Sequence, residues 1–417
     1  MQRYFAKYYH SYLDSLVDFL IPRGKRVLRL GIKIEMEKSV KYDYVVLRDV
    51  LGYVYDVQNY FKEIKDLLTE DGRIIITQYS AFWEPVLRLA SFLGLRKTLK
   101  IEQNWLSMHD LQNFAHLADL DMVKSGTKMI MPLYIPLFSS FLNKIVVNFF
   151  PFSRLGLFHY IVLKKNRNSL HLQATIKAPS ISIVVPARNE AGTIEKIARD
   201  LPKLGNFTEI IFIEGNSTDN TYDEIVRVAN KYKDSKKIKY GKQKGKGKGD
   251  AVRLGFEMAE GDILTIFDAD MTVPAEEMGK FYDAIVEGKG DFINGSRLVY
   301  PLEKDSMRVL NFIANKFFSL AFSYLLGQRL KDTLCGTKVL WKKDYESIKN
   351  NRAFFGDFDP FGDFDLLFGA AKLNLKIIDL PIHYKERAYG VTNISRFRHG
   401  WLLLKMVVFA ARKIKFI

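Results

Sequence analysis

Sulfhydryl chemistry is almost absent from this chain. Cys335 is the single cysteine among 417 residues, which excludes an internal disulfide and a thiolate zinc cluster and suits a reducing compartment. A hydrophobic run of membrane-spanning length, roughly 20 residues, is also lacking. The apolar stretch 129–142 is interrupted by Pro132 and Pro136, and the stretch 401–411 is shorter and contains Lys405. The first ten residues are polar and aromatic with no apolar core followed by small residues, so no signal peptide is expected. Acidic residues are in deficit: 47 against 63 lysines and arginines give a net charge of +16. That balance attracts phosphates, nucleic acid or an anionic membrane face, without choosing among them. The 48% hydrophobic and 26% charged content is that of a globular protein, and the length predicts two to three domains.

What the chain does have is centred on 263–274, ILTIFDADMTVP. Residues 263–267 read as a short buried strand ending in Asp268-Ala269-Asp270. Two carboxylates one residue apart at a strand tip share a face and repel, so a cation beside them is expected. A hard divalent ion fits oxygen ligands, and Mg²⁺ keeps positions open for phosphate oxygens.

Around this strand the second half reads as an α/β domain. Strands are expected at 181–185, 209–213 and 236–240, ahead of the strand 263–267, with an edge strand at 376–384 consistent with Pro381. Asn189 is expected to cap a helix over 190–201, and Ser217 or Thr218 the next one. Gly245–Gly249 (GKGKG) opens a helix from Asp250 and offers backbone N–H groups, Lys246 and Lys248 to a phosphate. It is no P-loop, since the ordered GxxxxGK[ST] is missing. In an open α/β sheet, ligands bind at the carboxyl ends of the strands.

Together these motifs resemble the family 2 glycosyltransferases of the GT-A fold, and within them the polyprenyl-phosphate hexose synthases. The resemblance covers about 180–413. It implies that Pro186, Arg188, Glu190 and Glu214 hold the nucleotide base and ribose. Lys248 and Gly249 fall in the GKGxA segment, and Asp268 and Asp270 in the metal-binding DxD motif. Arg297, from Asn294-Gly295-Ser296-Arg297, is expected to face phosphate, as is Arg308. Asp332-Thr333-Leu334-Cys335-Gly336 matches an acceptor loop, and Arg387 with Gly390 a diphosphate-holding R-x-x-G. The lysine that follows in the family is replaced by Thr392-Asn393, and Arg396 is the substitute. In GDFDPFGDFD (356–365), Asp363 and Asp365 match an acid-x-acid; two residues apart on a helix they face different ways. Asp363 is the acid expected nearest the reacting centre, with helix capping the alternative for the pair.

The first half also alternates strands and helices: strands at 26–32, 42–47, 73–78 and 156–164, and a helix over 57–69. Its order resembles the class I methyltransferases over about 8–165, but only ten residues separate Gly31 from Tyr42. The glycine-rich turn, ribose-gripping acid, strand and helix of that family do not fit there. A truncated Rossmann-like unit unable to bind S-adenosylmethionine, acting as a docking or scaffold module, is expected.

The expected layout is thus a methyltransferase-type domain at 1–165, a linker at 166–179, a GT-A domain at 180–398 and a basic amphipathic helix at 399–417. The expected activity is metal-dependent (Mg²⁺ or Mn²⁺), inverting transfer of a hexose from a nucleotide diphosphate sugar to a polyprenyl-phosphate-type lipid. Alternatives are a saccharide hydroxyl acceptor, for which Asp363 or Asp365 supplies a base, and a basic membrane- or nucleic-acid-binding scaffold. The aromatic-rich helix 306–326 and the basic terminal helix read either as packed elements or as segments lying in a membrane interface. The preferred picture is a cytoplasmic enzyme peripheral to the inner membrane face, with no nucleic-acid partner.

Overall fold

The computed structural model describes residues 2–31, 40–94, 104–166, 178–300, 309–354, 362–387, 389 and 396–416. The chain divides into two compact units. One comprises Met1–Asn166 with Lys372–Asn374 and Ala411–Ile417, the other Arg167–Ala371 with Leu375–Ala410.

The first unit holds β1 (Val27–Leu30), β2 (Tyr42–Arg48), β3 (Leu68–Tyr79), β4 (Leu120–Lys128) and β5 (Phe158–Lys165), in the sheet order β1-β2-β3-β5-β4. β1, β2 and β3 are parallel; β5 runs antiparallel to both of its neighbours. Alternate residues feed two cores. Val45, Leu47, Ile74 and Ile76 pack on Phe61 and Ile64 of the helix Val57–Leu67. Val46, Ile75 and Val162 pack on Leu13 and Val17 of the helix Gln2–Leu20. The four expected strands are present. β4 was not anticipated because its sequence, LDMVKSGTK, has no clean apolar alternation. The helix over 57–69 ends at Leu67, since β3 already begins at Leu68. β1 ends the described sheet, and 32–39, where the shortened connection falls, lie outside the described residues.

The second unit holds β6 (Ile181–Ala187), β7 (Thr208–Glu214), β8 (Lys237–Lys242), β9 (Ile263–Ile266), β10 (Phe292–Ser296), β11 (Lys338–Trp341) and β12 (Ile377–Pro381). Their order is β12-β10-β11-β9-β6-β7-β8. β9, β6, β7 and β8 are parallel, β11 is antiparallel to β9 and β10, and β12 is parallel to β10. The single reversed strand has a simple outcome: the carboxyl ends of six strands and the amino end of β11 lie along one edge. Pro381 sits in the edge strand β12, where a missing N–H costs no ladder bond.

Ile183, Val185 and Phe212 bury one sheet face under Ile194 and Ile197 of the helix Ala191–Asp200 and Ile225 and Val228 of the helix Thr221–Lys231. The helix Lys248–Met258 covers the other face; a side chain at its Gly255 would collide with Val184. The aromatic helix begins in the described residues at Val309 and runs to Leu326, packing on the helix Arg396–Ala410. Among the described residues no helix is long and apolar enough to cross a membrane.

Candidate active site

The strand-tip acids stand where the sequence puts them, on the edge that gathers the strand ends. Phe267 continues β9 by donating its N–H to Val184 O at 2.9 Å, and a turn follows in which Met271 N donates to Asp268 O at 3.2 Å. Met271 takes φ +52° there. Thr272 fixes Asp270, whose Oδ1 accepts from the threonine N–H at 3.1 Å and hydroxyl at 2.9 Å. The other oxygen of Asp270 accepts from Arg387 Nη2 at 2.8 Å, and Arg387 Nη1 donates to Glu190 Oε1 at 2.8 Å. Asp268 Oδ1 lies 2.5 Å from Lys248 Nζ.

These contacts set the charges. Burial opposes ionisation of Asp268, but the adjacent Lys248 outweighs it and the carboxyl is held below its ordinary range; Lys248 is raised in return. Glu190 shifts the other way. Burial pushes it up to about 7, with Arg387 opposing and the charge of Asp270 adding to the rise. Its second oxygen, Oε2, accepts no hydrogen bond among the described residues.

The loops after β6 and β7 are latched to each other. Asn189 (φ +57°) and Asn216 (φ +60°) take left-handed backbone. Asn189 Oδ1 accepts from Thr218 N at 2.8 Å, and Asn189 N donates to Ser217 Oγ at 3.0 Å. This corrects the expected caps. Asn189 reaches sideways to the next loop, and the helix Ala191–Asp200 starts after Glu190 without a side-chain cap. Ser217 and Thr218 likewise serve the latch; the helix Thr221–Lys231 starts after Asn220, with Asp219 accepting from Thr221 N at 3.0 Å. Glu214 Oε1 accepts from Ser217 N at 2.5 Å, so this acid braces its own turn. Pro186 is half-buried within β6, and Arg188 is exposed at the mouth.

The helix after the glycine turn begins at Lys248, two residues before the expected Asp250, with Gly247 at φ +87° preceding it. Asp250 bends back instead, its Oδ2 accepting from Gly245 N at 2.8 Å, while Asn216 Nδ2 donates to Gly245 O at 3.2 Å. Gly249 is buried, and a Cβ on Gly362 would stand 2.7 Å from the Gly249 Cα, so backbone meets backbone there.

Two further residues are not where the resemblance implies. Arg297 gives Nε and Nη2 to Asp332 at 2.7 and 3.0 Å, and Asn315 Nδ2 donates to Asp332 at 2.8 Å; Asp332 and Asn315 are buried and Arg297 is mostly so. The guanidinium is thus committed to a protein carboxylate, though still near enough to help hold Asp268 ionised. Asp365 accepts from Arg352 Nε at 2.8 Å, so this acid too is committed to a protein cation. Asp363 belongs with the site. It stands 3.6 Å from the fully buried Lys338 Nζ and adds to the field that raises Lys248. Its Oδ1 accepts no hydrogen bond among the described residues.

Lys338 escaped the sequence reading as a site residue, and Gly336 entered it only as part of the acceptor-loop match. Lys338 Nζ donates to Cys335 O at 2.6 Å and Asn294 Oδ1 at 3.1 Å, a fixed positive charge behind Asp363. A side chain at Gly336 would strike Asp268 Oδ2 and Lys248 Nζ. The D-x-x-C-G pattern was visible; that its glycine leaves room for the carboxylate was not. Arg308, Gly390, Thr392 and Asn393 lie outside the described residues, as does the side chain of Arg396.

Among the described residues no group of three or more His, Cys, Asp or Glu side chains gathers for a metal. Asp268 and Asp270 are two partly exposed carboxylates at the same strand tip. That fits a hard ion whose remaining ligands are phosphate oxygens and water.

Residues 182–349 match the family described as Glycosyl transferase family 2, and residues 5–125 that described as Methyltransferase domain. Glycosyltransferase AglD of Haloferax volcanii is 26% identical over 231 residues, 54% of this chain and 36% of its own length. The chain thus spans about a third of that relative. Dolichol-phosphate mannosyltransferase of Pyrococcus furiosus is 26% identical over 247 residues, 57% of this chain and 67% of its own length. Glucosyl-3-phosphoglycerate synthase from Mycobacterium tuberculosis, solved with phosphoglyceric acid, aligns at 18% identity and a TM-score of 0.43, covering 58% of this chain and 82% of that one. The chain therefore carries a family 2 glycosyltransferase domain over 182–349, preceded by a methyltransferase-like domain over 5–125.

Proposed function

We propose that the second unit transfers a hexose from a nucleotide diphosphate sugar to a lipid-phosphate acceptor at the cytoplasmic face of a membrane. The observation that carries this reading is the meeting of Asp268, Asp270, Lys248 and Arg387 on the edge formed by the strand ends. Two acids and two cations paired in a partly exposed cluster suit a ligand that brings a divalent ion and a diphosphate together: Asp268 and Asp270 would hold the ion, and Lys248 and Arg387 would then be free to bind the phosphate oxygens. Asp268 and Asp270 would hold Mg²⁺ or Mn²⁺, which neutralises the diphosphate as it departs.

Lys248, on the first turn of its helix, and the N–H groups beside it share the remaining phosphate charge. Arg387 is held between Glu190 and Asp270, placing its guanidinium at the inner end of the nucleotide loops. Pro186, Arg188, Glu190 and Glu214 line those loops and are assigned to the base and ribose, with Glu214 acting through the turn it braces. An acceptor phosphate is already ionised and attacks the anomeric carbon from the face opposite the leaving group, which inverts it. The similarity to a dolichol-phosphate mannosyltransferase supports that acceptor class.

A second reading has its own support. Asp363 carries a buried oxygen without a hydrogen bond among the described residues, aimed from beside Lys338, and a saccharide hydroxyl acceptor needs such a base.

The test is transfer from radiolabelled UDP- and GDP-hexoses, with Mn²⁺ or Mg²⁺, to polyprenyl phosphate or to free saccharides. Product in the lipid phase supports the proposal; product on saccharide alone selects the second reading; absence of both transfer and donor hydrolysis overturns each. Asp270→Ala is expected to lower turnover at least about 100-fold, the scale of losing a preorganised electrostatic contact to the transition state, with an unchanged far-ultraviolet spectrum.

A further inference from the structure

The methyltransferase-like unit carries a helix packed inside out. In Phe138–Lys144, Ser139 and Asn143 stand one turn apart and are fully buried, whereas Leu137, Phe138 and Phe141 face solvent at 88, 50 and 52% exposure. A water-facing helix has the opposite polarity.

The buried polar side chains have a definite task. Ser139 Oγ accepts from Ile135 N at 2.8 Å and donates to Leu133 O at 2.6 Å. Asn143 Oδ1 accepts from Ile130 N and Met131 N, both at 2.9 Å, and its Nδ2 donates to Met131 O at 2.7 Å. Pro132 and Pro136 bring no N–H at all. Much of the loop's peptide polarity is satisfied from beneath, and its outward side chains, Leu133, Tyr134 and Ile135, are apolar and exposed. Water asks for no such arrangement. A segment entering an apolar phase needs it, because there every backbone polar group must find its partner within the protein.

A second apolar element lies beside the first. Trp83 Nε1 donates to Leu155 O at 2.9 Å, which sets the helix Glu84–Phe92 next to the end of this region. That helix buries only Leu87 and exposes Val86, Leu89 and Phe92. Cations mark the surroundings: Lys144 is exposed, and Arg154 lies 5.0 Å over the Phe150 ring. Across 81–94 and 133–155 the one acid is Glu84, and it is bonded to Arg88 at 2.7 Å.

We propose that this face of the methyltransferase-like unit enters the interfacial layer of an anionic lipid bilayer. Aromatic and aliphatic side chains penetrate to the acyl boundary, and Lys144, Arg154 and the basic balance of the chain meet the headgroups. Exposed apolar patches of this kind mark a binding surface; the internally satisfied loop and the absence of an unpaired acid select lipid as the occupant.

The test uses the full chain and sedimentation with phosphatidylcholine vesicles with and without phosphatidylglycerol. The triple variant Phe92→Ser, Phe138→Ser, Phe141→Ser, all at exposed sites, is expected to bind at least about 30-fold more weakly than the natural chain, as three lost aromatic insertions require. Its thermal melt and donor hydrolysis are expected to stay unchanged. Unaltered vesicle binding by the triple variant overturns the proposal, as does a natural chain that ignores both kinds of vesicle. Binding lost only in Leu320→Ser with Trp401→Ser also overturns it, by moving the contact to the glycosyltransferase unit. A concentration-dependent dimer in lipid-free sedimentation velocity that the triple variant abolishes overturns it too, by giving the face to a second copy of the chain.

Discussion

Asp332 is fully buried yet ionised, and the reason is the number of donors aimed at it. Arg297 contributes Nε, Nη2 and its backbone N–H, and Asn315 and Leu334 contribute one N–H each. Burial alone raises a carboxyl; Arg297 reverses this and pushes Asp332 down to about 2. Because the folded-state value lies below the unfolded one, the contribution is complete above about pH 4 and disappears as the pH falls through about 2, a span worth roughly 2 kcal/mol. Asp332→Asn leaves the largely covered Arg297 without its counter-charge, so urea denaturation at pH 7 should show a loss of about 3 kcal/mol, the low end for breaking a buried pair. In that variant the acid-side decline in stability should be flatter between about pH 4 and 2. Arg297 and Asp332 were each legible in the sequence, one as a phosphate ligand and one as part of an acceptor loop. Their partnership was not: they lie 35 positions apart, and no local spacing reports a contact between loops.

At the scale of elements, apolar β-branched runs were read readily because each strand core needs them: Ile181–Ala187, Thr208–Glu214 and Ile263–Ile266 all carry such a run. What followed each strand was read less well. Asn189 has the chemistry of a helix cap and spends it on Thr218 across the cleft, since its left-handed backbone turns the side chain from its own helix. The inverted polarity of Phe138–Lys144 was hidden for a similar reason: Ser139 and Asn143 look like surface residues until their backbone partners are known. The glycine turn makes an element-scale prediction. Asp250 holds Gly245 N and so keeps the turn folded ahead of Lys248. Asp250→Ala should loosen it and raise the KM for donor about 10-fold, the cost of one charge-assisted hydrogen bond, with kcat changed less. Initial rates over a donor series check this; the opposite split would place Asp250 in the chemical step.

For the whole molecule, sequence and structure agree on two unlike α/β units, each with its own sheet. The order of motifs made that legible, since a linear pattern survives where pairwise contacts do not. The first unit's sheet ends at β1 among the described residues, and the ten residues between Gly31 and Tyr42 are expected to be too few for the cofactor-gripping turn, strand and helix. Calorimetric titration of the full chain with S-adenosylmethionine should show no saturable heat, and a stoichiometric isotherm would restore a methyltransferase role to this half. The glycosyltransferase unit, for its part, carries built-in counter-ions: Lys248 and Arg387 already neutralise Asp268 and Asp270. A chelator should therefore silence turnover while moving the Tm by less than about 2 °C, because an ion that merely displaces resident cations adds little net stability to the folded state. Enzyme stripped in this way should regain full rate on readdition of Mn²⁺ with no refolding lag, so catalysis can follow the supply of free metal as a reversible throttle.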